Sequence, residues 1–245
     1  MKKINKRLQS TCVSFAEMSI NTEYYIHEQQ DSNDLQENMN DELKNKKRAK
    51  NVLLIPPDPH WNGNMYMPFI NDLFTTLDEQ EMSVMRFTFN QIPILNDNYT
   101  KYIIQASLCL EHFIHETNFL SDFFVIGYSF GALIALLLAL RRPEIVNFIM
   151  VSPPLLHYDF FSNISTLRIN GLCLYGTKDE IIPEGSVEQF VAFLKTKMIF
   201  LQTIEIEGAN HYLHGKSSEV IESIIKYIKD FQQPDLSDIV NEDII

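Results

Sequence analysis

Apolar and polar residues follow two different periods along the chain, and these periods alternate from Asn51 onwards. Short continuous apolar runs predict buried strands at 51–57, 82–89, 123–129, 146–151, 171–175 and 198–206. Between these runs, apolar residues at helical spacing predict helices at 66–81, 99–117, 130–140, 187–195 and 218–231. This alternation is typical of an α/β fold with a doubly wound, mostly parallel sheet and helices on both faces. We expect no large lid domain, because few residues separate the strands that end near Ser152 and begin near Gly171.

The first fifty residues follow a different pattern. Extended-looking pieces at 11–20 and 24–27 predict a pair of antiparallel edge strands within an N-terminal segment, residues 1–27. Residues 28–50 are poor in apolar side chains and run from an acidic to a basic half, which predicts a solvated charged loop or a disordered segment rather than a localisation signal. The predicted division then continues with a core domain at 51–232 and an acidic C-terminal tail at 233–245.

Composition excludes several partners and compartments. The 245 residues include 32 acidic and 20 basic side chains, a formal net charge of −12, so the chain repels phosphate backbones and no nucleic-acid partner is expected. The three cysteines, Cys12, Cys109 and Cys173, contain no Cys-x-x-Cys pair and indicate reduced thiols in a cytoplasmic protein. We also expect neither a secretory signal nor a transmembrane segment, since every apolar run is short or interrupted by polar residues.

A candidate nucleophile lies where a predicted strand passes into a predicted helix. The run Gly127-Tyr128-Ser129-Phe130-Gly131 joins the two, and a serine at such a sharp turn has an exposed hydroxyl. The N-terminal amides of the following helix would face an oxyanion formed beside it. A glycine turn with an incidental serine is the alternative, but the apolar strand and helix on either side favour a nucleophile.

A nucleophilic serine needs a general base and an acid that orients the base. Asp179 and His211 each lie on a loop that follows a later predicted strand, at the same edge of the sheet as Ser129. The chain order serine, aspartate, histidine matches that of one serine-hydrolase fold. Glu180 is a competing acid and His214 is a competing base.

The proline-rich turn at 56–63, PPDPHWNG, follows the first central strand and is a candidate for part of an oxyanion hole. The Phe130 amide provides one predicted donor, and a second backbone amide is required. Because the prolines of the turn have no N–H, the second donor is Asp58 or His60. A rigid turn without a catalytic role is the alternative. Residues expected to line the pocket are Trp61, Tyr128 and His157.

No metal site is predicted. His112 and His115 share a predicted helix, but their spacing is not the i, i+4 of a zinc-binding helix and no third ligand accompanies them. A solvated helix face explains both histidines.

Residues 51–231 resemble the α/β-hydrolase superfamily, and more narrowly the small lidless serine hydrolases related to the dienelactone-hydrolase group. The stretch GYSFGA and the pieces Gly-x-x-Asp and Gly-Ala-x-His, which end at Asp179 and His211, carry this resemblance. The family's first loop typically reads His-Pro-His-Pro, then a glycine pair and a methionine. Here the loop reads PPDPHWNGNM, so Pro56 and Asp58 replace the two histidines. The family's Arg-Gly-x-Gly-x-Ser turn is also replaced, by Asn90-Gln91-Ile92-Pro93.

The resemblance implies a serine hydrolase that cleaves a carboxylic ester or thioester through an acyl-enzyme, without a metal or cofactor. It implies Ser129 as nucleophile, His211 as general base and Asp179 as the residue that orients the base. The substrate implied is a small-molecule ester or thioester. The two altered loops keep a second interpretation open, in which the chain is a catalytically weak or inactive interaction module.

Overall fold

The structure is a computed structural model that describes residues 8–15, 18–27, 49–93, 98–117, 122–155, 169–197 and 199–232. Its centre is an eight-stranded sheet. In chain order the strands are β1 (Gln9–Phe15), β2 (Met18–Tyr25), β3 (Lys50–Ile55), β4 (Ser83–Phe87), β5 (Asp122–Tyr128), β6 (Ile145–Val151), β7 (Ile169–Gly176) and β8 (Ile199–Ile206). In space they follow the order β1-β2-β4-β3-β5-β6-β7-β8, and all pairings from β4 to β8 are parallel.

Helices cover both faces of this sheet. They are α1 (Pro68–Glu79), α2 (Asn98–Glu116), α3 (Phe130–Ala139), α4 (Ser186–Thr196) and α5 (Ser217–Asp230). Side chains of α2, α3 and α4 pack into one apolar core and those of α1 and α5 into another. Successive residues of β3 alternate between the two cores, Leu53 facing the first and Leu54 the second, because neighbouring side chains in a strand point to opposite faces.

The predicted α/β class is therefore confirmed, with a doubly wound, mostly parallel sheet between two helical layers. Within the described ranges, no segment forms a lid domain over the sheet, and no helix combines the length and apolarity needed to cross a membrane. Most elements begin and end within two residues of the predicted bounds. The first helix begins at Pro68, two residues later than predicted, because proline is well suited to the first helical position.

The N-terminal strands differ from the prediction. The piece predicted at 11–20 covers the end of β1 and the start of β2, whose last pairing joins Phe15 to Met18. β1 lies at the edge of the sheet, whereas β2 lies inside it and pairs with β4 as well. A period-two pattern marks both strands but does not show where one ends and the next begins, so the predicted bounds were wrong.

The predicted charged segment, 28–50, and the predicted tail, 233–245, fall mostly outside the described residues. The end of the charged segment is described, and Lys50 is the first residue of β3. Its ammonium group lies 2.9 Å from the Asp122 carboxylate and also donates to the Phe231 carbonyl. Lys50 therefore belongs to the sheet and not to a solvated loop.

Candidate active site

Ser129 lies at the turn between β5 and α3 in a strained backbone conformation. Its φ of 54° and ψ of −124° are rarely adopted by residues other than glycine. Two glycines make room for this turn. A Cβ on Gly127 would lie 2.0 Å from the Gly131 carbonyl oxygen, and a Cβ on Gly131 would lie 2.4 Å from the Ile55 carbonyl oxygen. Because backbone atoms occupy both places, the turn requires glycine on each side of the serine.

His211 lies between Ser129 and Asp179. Its Nε2 is 2.9 Å from Ser129 Oγ, and its Nδ1 is 3.0 Å from both carboxylate oxygens of Asp179. The carboxylate accepts a hydrogen bond from Nδ1–H, which leaves the lone pair of Nε2 directed at the serine hydroxyl. The Asp179 side chain is fully buried, and the Ile181 amide donates to it at 2.9 Å. This arrangement can take a proton from Ser129 and stabilise the imidazolium that results.

The two alternatives left open by the sequence have other contacts. The Glu180 carboxylate accepts from the backbone amide of His211 at 3.4 Å, and no contact between it and the imidazole is present in the described part of the chain. The Nδ1 of His214 lies 3.2 Å from the side-chain nitrogen of Asn210. The geometry therefore favours Asp179 over Glu180 and His211 over His214.

Tyr128 supports the histidine from behind the site, a role that the sequence did not suggest. Its hydroxyl donates to the backbone carbonyl of His211 at 2.9 Å, and the two rings stack with centroids 6.3 Å apart. Burial, followed by the nearby Asp179 carboxylate, raises the pKa of the Tyr128 phenol, so the hydroxyl remains a donor at neutral pH. Tyr128 is only 3% exposed, so the structure places it in the core beneath the site, and its predicted place in the pocket lining stays a prediction.

The backbone amides of Phe130 and Asp58 have no hydrogen-bond acceptor among the described residues. Phe130 is the first residue of α3, where helical amides have no partner within the helix. Gly131 packs against the Pro56 carbonyl, which brings the turn carrying Asp58 against the start of α3. The His60 amide, the predicted alternative donor, instead donates to the Asp58 carboxylate at 2.9 Å and is therefore not available to an oxyanion.

The other two residues predicted to line the pocket are Trp61 and His157. The Trp61 side chain is 85% exposed, so it does not plug the approach to the serine as a binding module would require. His157 lies outside the described residues. A cleft of about 620 Å³ at the amino ends of β6 to β8 and one of about 510 Å³ between α1 and α5 contain none of the three candidate catalytic residues. In the described ranges, no group of three or more His, Cys, Asp or Glu side chains is arranged to hold a metal ion.

The chain is similar to known proteins over most of its length. No protein-family model matches the sequence. An uncharacterized protein of Rickettsia prowazekii is 28% identical over 184 residues, which cover 72% of this chain and 77% of that protein. Its description assigns no activity, so this relative does not narrow the chemistry.

Solved structures are similar over almost the full length. A protein of unknown function from Agrobacterium tumefaciens, described as an α/β-hydrolase candidate, has a TM-score of 0.71 at 24% identity and covers 90% of this chain and 95% of its own. A lidless α/β serine hydrolase from Xanthomonas campestris has a TM-score of 0.70 at 16% identity, with coverages of 91% and 94%. Dienelactone hydrolase from Anabaena variabilis has a TM-score of 0.71 at 13% identity, with coverages of 92% and 98%. The similarity thus concerns the architecture of the whole sheet and its helices.

Proposed function

Because the chain has the α/β-hydrolase fold, we propose that it is a serine hydrolase that cleaves a carboxylic ester or thioester through an acyl-enzyme. The observation that carries the proposal is the continuous chain from the Ser129 hydroxyl through His211 to the buried Asp179 carboxylate, at 2.9 Å and 3.0 Å. The strained turn at Ser129 supports it, since strain of this kind is kept where a nucleophile must be exposed.

In the acylation step, Ser129 Oγ attacks the substrate carbonyl carbon while Nε2 of His211 takes the hydroxyl proton. The carbonyl oxygen becomes an oxyanion, which accepts hydrogen bonds from the amides of Phe130 and Asp58. As the tetrahedral intermediate collapses, the bond to the alcohol or thiol breaks and His211 gives that leaving group its proton. Asp179 keeps the ring oriented and stabilises its charged form. A water molecule then repeats the sequence on the acyl-enzyme, which releases the acid and restores Ser129.

A catalytically inactive interaction module is the second candidate, and the replaced histidines of the first loop favour it. Against it, a chain that had lost catalysis would have no reason to keep His211 within hydrogen-bond reach of both Ser129 and Asp179. The exposed Trp61 also leaves the approach unplugged by that side chain.

The test is labelling with a fluorophosphonate probe, together with turnover of p-nitrophenyl esters of increasing acyl length. Wild-type protein is expected to be labelled and to turn over the shorter esters, and Ser129→Ala is expected to lose both. Ser223→Ala is the matched control, because Ser223 is a partly exposed serine on α5 whose hydroxyl donates to the Glu219 carbonyl, away from the candidate site. Wild-type protein that shows no labelling and no turnover dependent on Ser129 would favour the interaction module. A matched thioester series then separates esterase from thioesterase activity.

A further inference from the structure

His60 connects two loops that flank Phe130. It lies on the 3₁₀ turn Pro59–Trp61 that follows β3, and its Nε2 is 2.8 Å from the Ile92 carbonyl oxygen in the loop after β4. Its Nδ1 and its backbone amide both lie 2.9 Å from the same carboxylate oxygen of Asp58. The His60 side chain is 17% exposed, so water has limited access to these contacts.

Both partners of the imidazole are acceptors. A carboxylate oxygen and a backbone carbonyl oxygen have no proton to give, whereas a neutral imidazole has a single N–H. Only the imidazolium form donates to the Asp58 carboxylate and the Ile92 carbonyl at once. The Tyr102 hydroxyl, 3.5 Å from Nδ1, is too distant to replace the carboxylate as the main partner.

We infer that His60, held as an imidazolium between Asp58 and Ile92, is a positioning residue that fixes the Asp58 backbone amide as an oxyanion donor beside Ser129. This inference rests on the proposed hydrolase function. The two histidines of the family's His-Pro-His-Pro motif are absent here, and His60 is the residue that follows the matching positions 56–59. The bridge is therefore a feature of this chain's own turn.

The backbone amide of Asp58 has no acceptor among the described residues, whereas its carbonyl and one carboxylate oxygen are hydrogen-bonded. Its carboxylate oxygen accepts from the ring and the amide of His60, and its carbonyl accepts from the amides of Trp61 and Gly63 at 3.1 Å and 2.9 Å. With its acceptors held in this way, the residue has little freedom to rotate. The bridge to Ile92 adds an anchor in a second loop, so the turn is fixed from two sides before a substrate arrives.

The neighbouring groups favour the charged form of this bridge. The hydrogen bond to Asp58 raises the pKa of His60, and burial opposes this with a smaller effect. On α2, which packs against the turn, burial and then the Asp58 charge raise the pKa of Tyr99, and burial is also the largest cause of the raised pKa of Tyr102. Both phenols therefore stay neutral. Because the folded-state pKa of His60 is raised, the protonated bridge is favoured below that pKa and is lost as pH rises through it.

The first experiment measures the ring directly and needs no enzymatic activity. A titration of the His60 ring followed by nitrogen-15 NMR is expected to give a pKa above the ordinary value of about 6.5 for histidine. Asp58→Asn, which keeps the backbone amide but removes the charge, is expected to lower that pKa. A His60 pKa at or below the ordinary value overturns the inference, whether or not Ser129 proves reactive.

The second experiment measures catalysis with His60→Gln, whose side-chain amide can still donate hydrogen bonds but carries no positive charge. We expect kcat to fall about 10- to 100-fold with little change in KM, because an oxyanion donor acts mainly in the transition state. In wild-type protein, kcat should fall as pH rises through the His60 pKa, because the bridge is then lost. This fall should be absent from His60→Gln. His115→Gln is the matched control, since His115 lies on α2 with its side chain 84% exposed.

The outcomes separate the two proposals. If wild-type protein has Ser129-dependent turnover and His60→Gln retains wild-type kcat, the positioning role is overturned and the hydrolase function stands. A fall in unfolding temperature without a selective loss of kcat also overturns it, because a purely structural role predicts that result. If no Ser129-dependent turnover exists, both proposals fail.

Discussion

The Ser129 hydroxyl lies 2.9 Å from Nε2 of His211 although 82 positions separate the two residues. Ser129 follows β5 and His211 follows β8, and the sheet order places β6 and β7 between these strands. The loop after β8 therefore reaches across the carboxyl ends of two strands to meet the serine. Its attachment to the loop after β7, through the Lys178 amide and the Ala209 carbonyl at 2.9 Å, helps to hold it there.

Asp179→Asn should abolish most activity. The asparagine side chain has nearly the same volume, but only its oxygen can accept a hydrogen bond from Nδ1–H. Its NH2 group would favour the tautomer that carries the proton on Nε2, and that tautomer cannot take a proton from Ser129. We expect kcat to fall by about 10⁴-fold in ester hydrolysis, with a small effect on KM. Glu180→Gln is the control, because its side chain contacts the amide of His211 and should leave kcat near the wild-type value. A larger loss from Glu180→Gln than from Asp179→Asn would reverse the assignment of the acid.

Tyr128→Phe tests the support behind the histidine. Removal of the hydroxyl leaves the buried His211 carbonyl without this donor, which should lower the free energy of unfolding by about 1–3 kcal/mol in urea denaturation. Tyr212→Phe serves for comparison, since the Tyr212 side chain is 54% exposed and its change should stay within about 0.5 kcal/mol. Equal stability of the two variants would show that the Tyr128 hydroxyl contributes nothing to holding the loop.

Gly131→Ala tests the close approach between α3 and the turn after β3. The added methyl group would lie 2.4 Å from the Ile55 carbonyl and 2.5 Å from the Pro56 carbonyl, and neither backbone group can rotate away. We expect a loss of about 1–3 kcal/mol in stability and slower fluorophosphonate labelling, because the turn with Asp58 must move. In Gly215→Ala the methyl group meets open space, so only the strain of φ 68° remains, about 1 kcal/mol, and labelling should be unchanged. If Gly131→Ala is labelled by the fluorophosphonate at the wild-type rate, the position of the turn does not affect the reaction of Ser129.

The three cysteines should differ in reactivity. Burial raises the pKa of Cys173 to about 12 and also raises that of Cys109, so neither thiol forms appreciable thiolate at pH 8. Cys12 is exposed on β1. Native protein should therefore react at one thiol with a disulfide reagent and at three after denaturation, and Cys12→Ser should remove the native reaction. Rapid native labelling of two or more thiols would mean that one of the cores opens readily.

Part of the candidate site was readable from local sequence. The strand–turn–helix around Ser129 follows from an apolar run, two glycines and a second apolar run, all within one short stretch. Asp179 and His211 were placed on the correct loops because loops after parallel strands gather at one edge of the sheet. Glu180 and His214 stayed as alternatives, since adjacent loop residues differ in side-chain direction, which spacing does not encode.

The sequence by itself determined the fold class and the order of the candidate catalytic residues, because hydrophobic period and chain order are local properties. The tertiary structure decided which hydrogen bonds form between distant loops. It directed the Tyr128 hydroxyl to the His211 carbonyl and joined the His60 ring to the Ile92 carbonyl. These contacts depend on how loops from separate strands meet at the edge of the sheet, and that meeting is fixed only once the two apolar cores have packed.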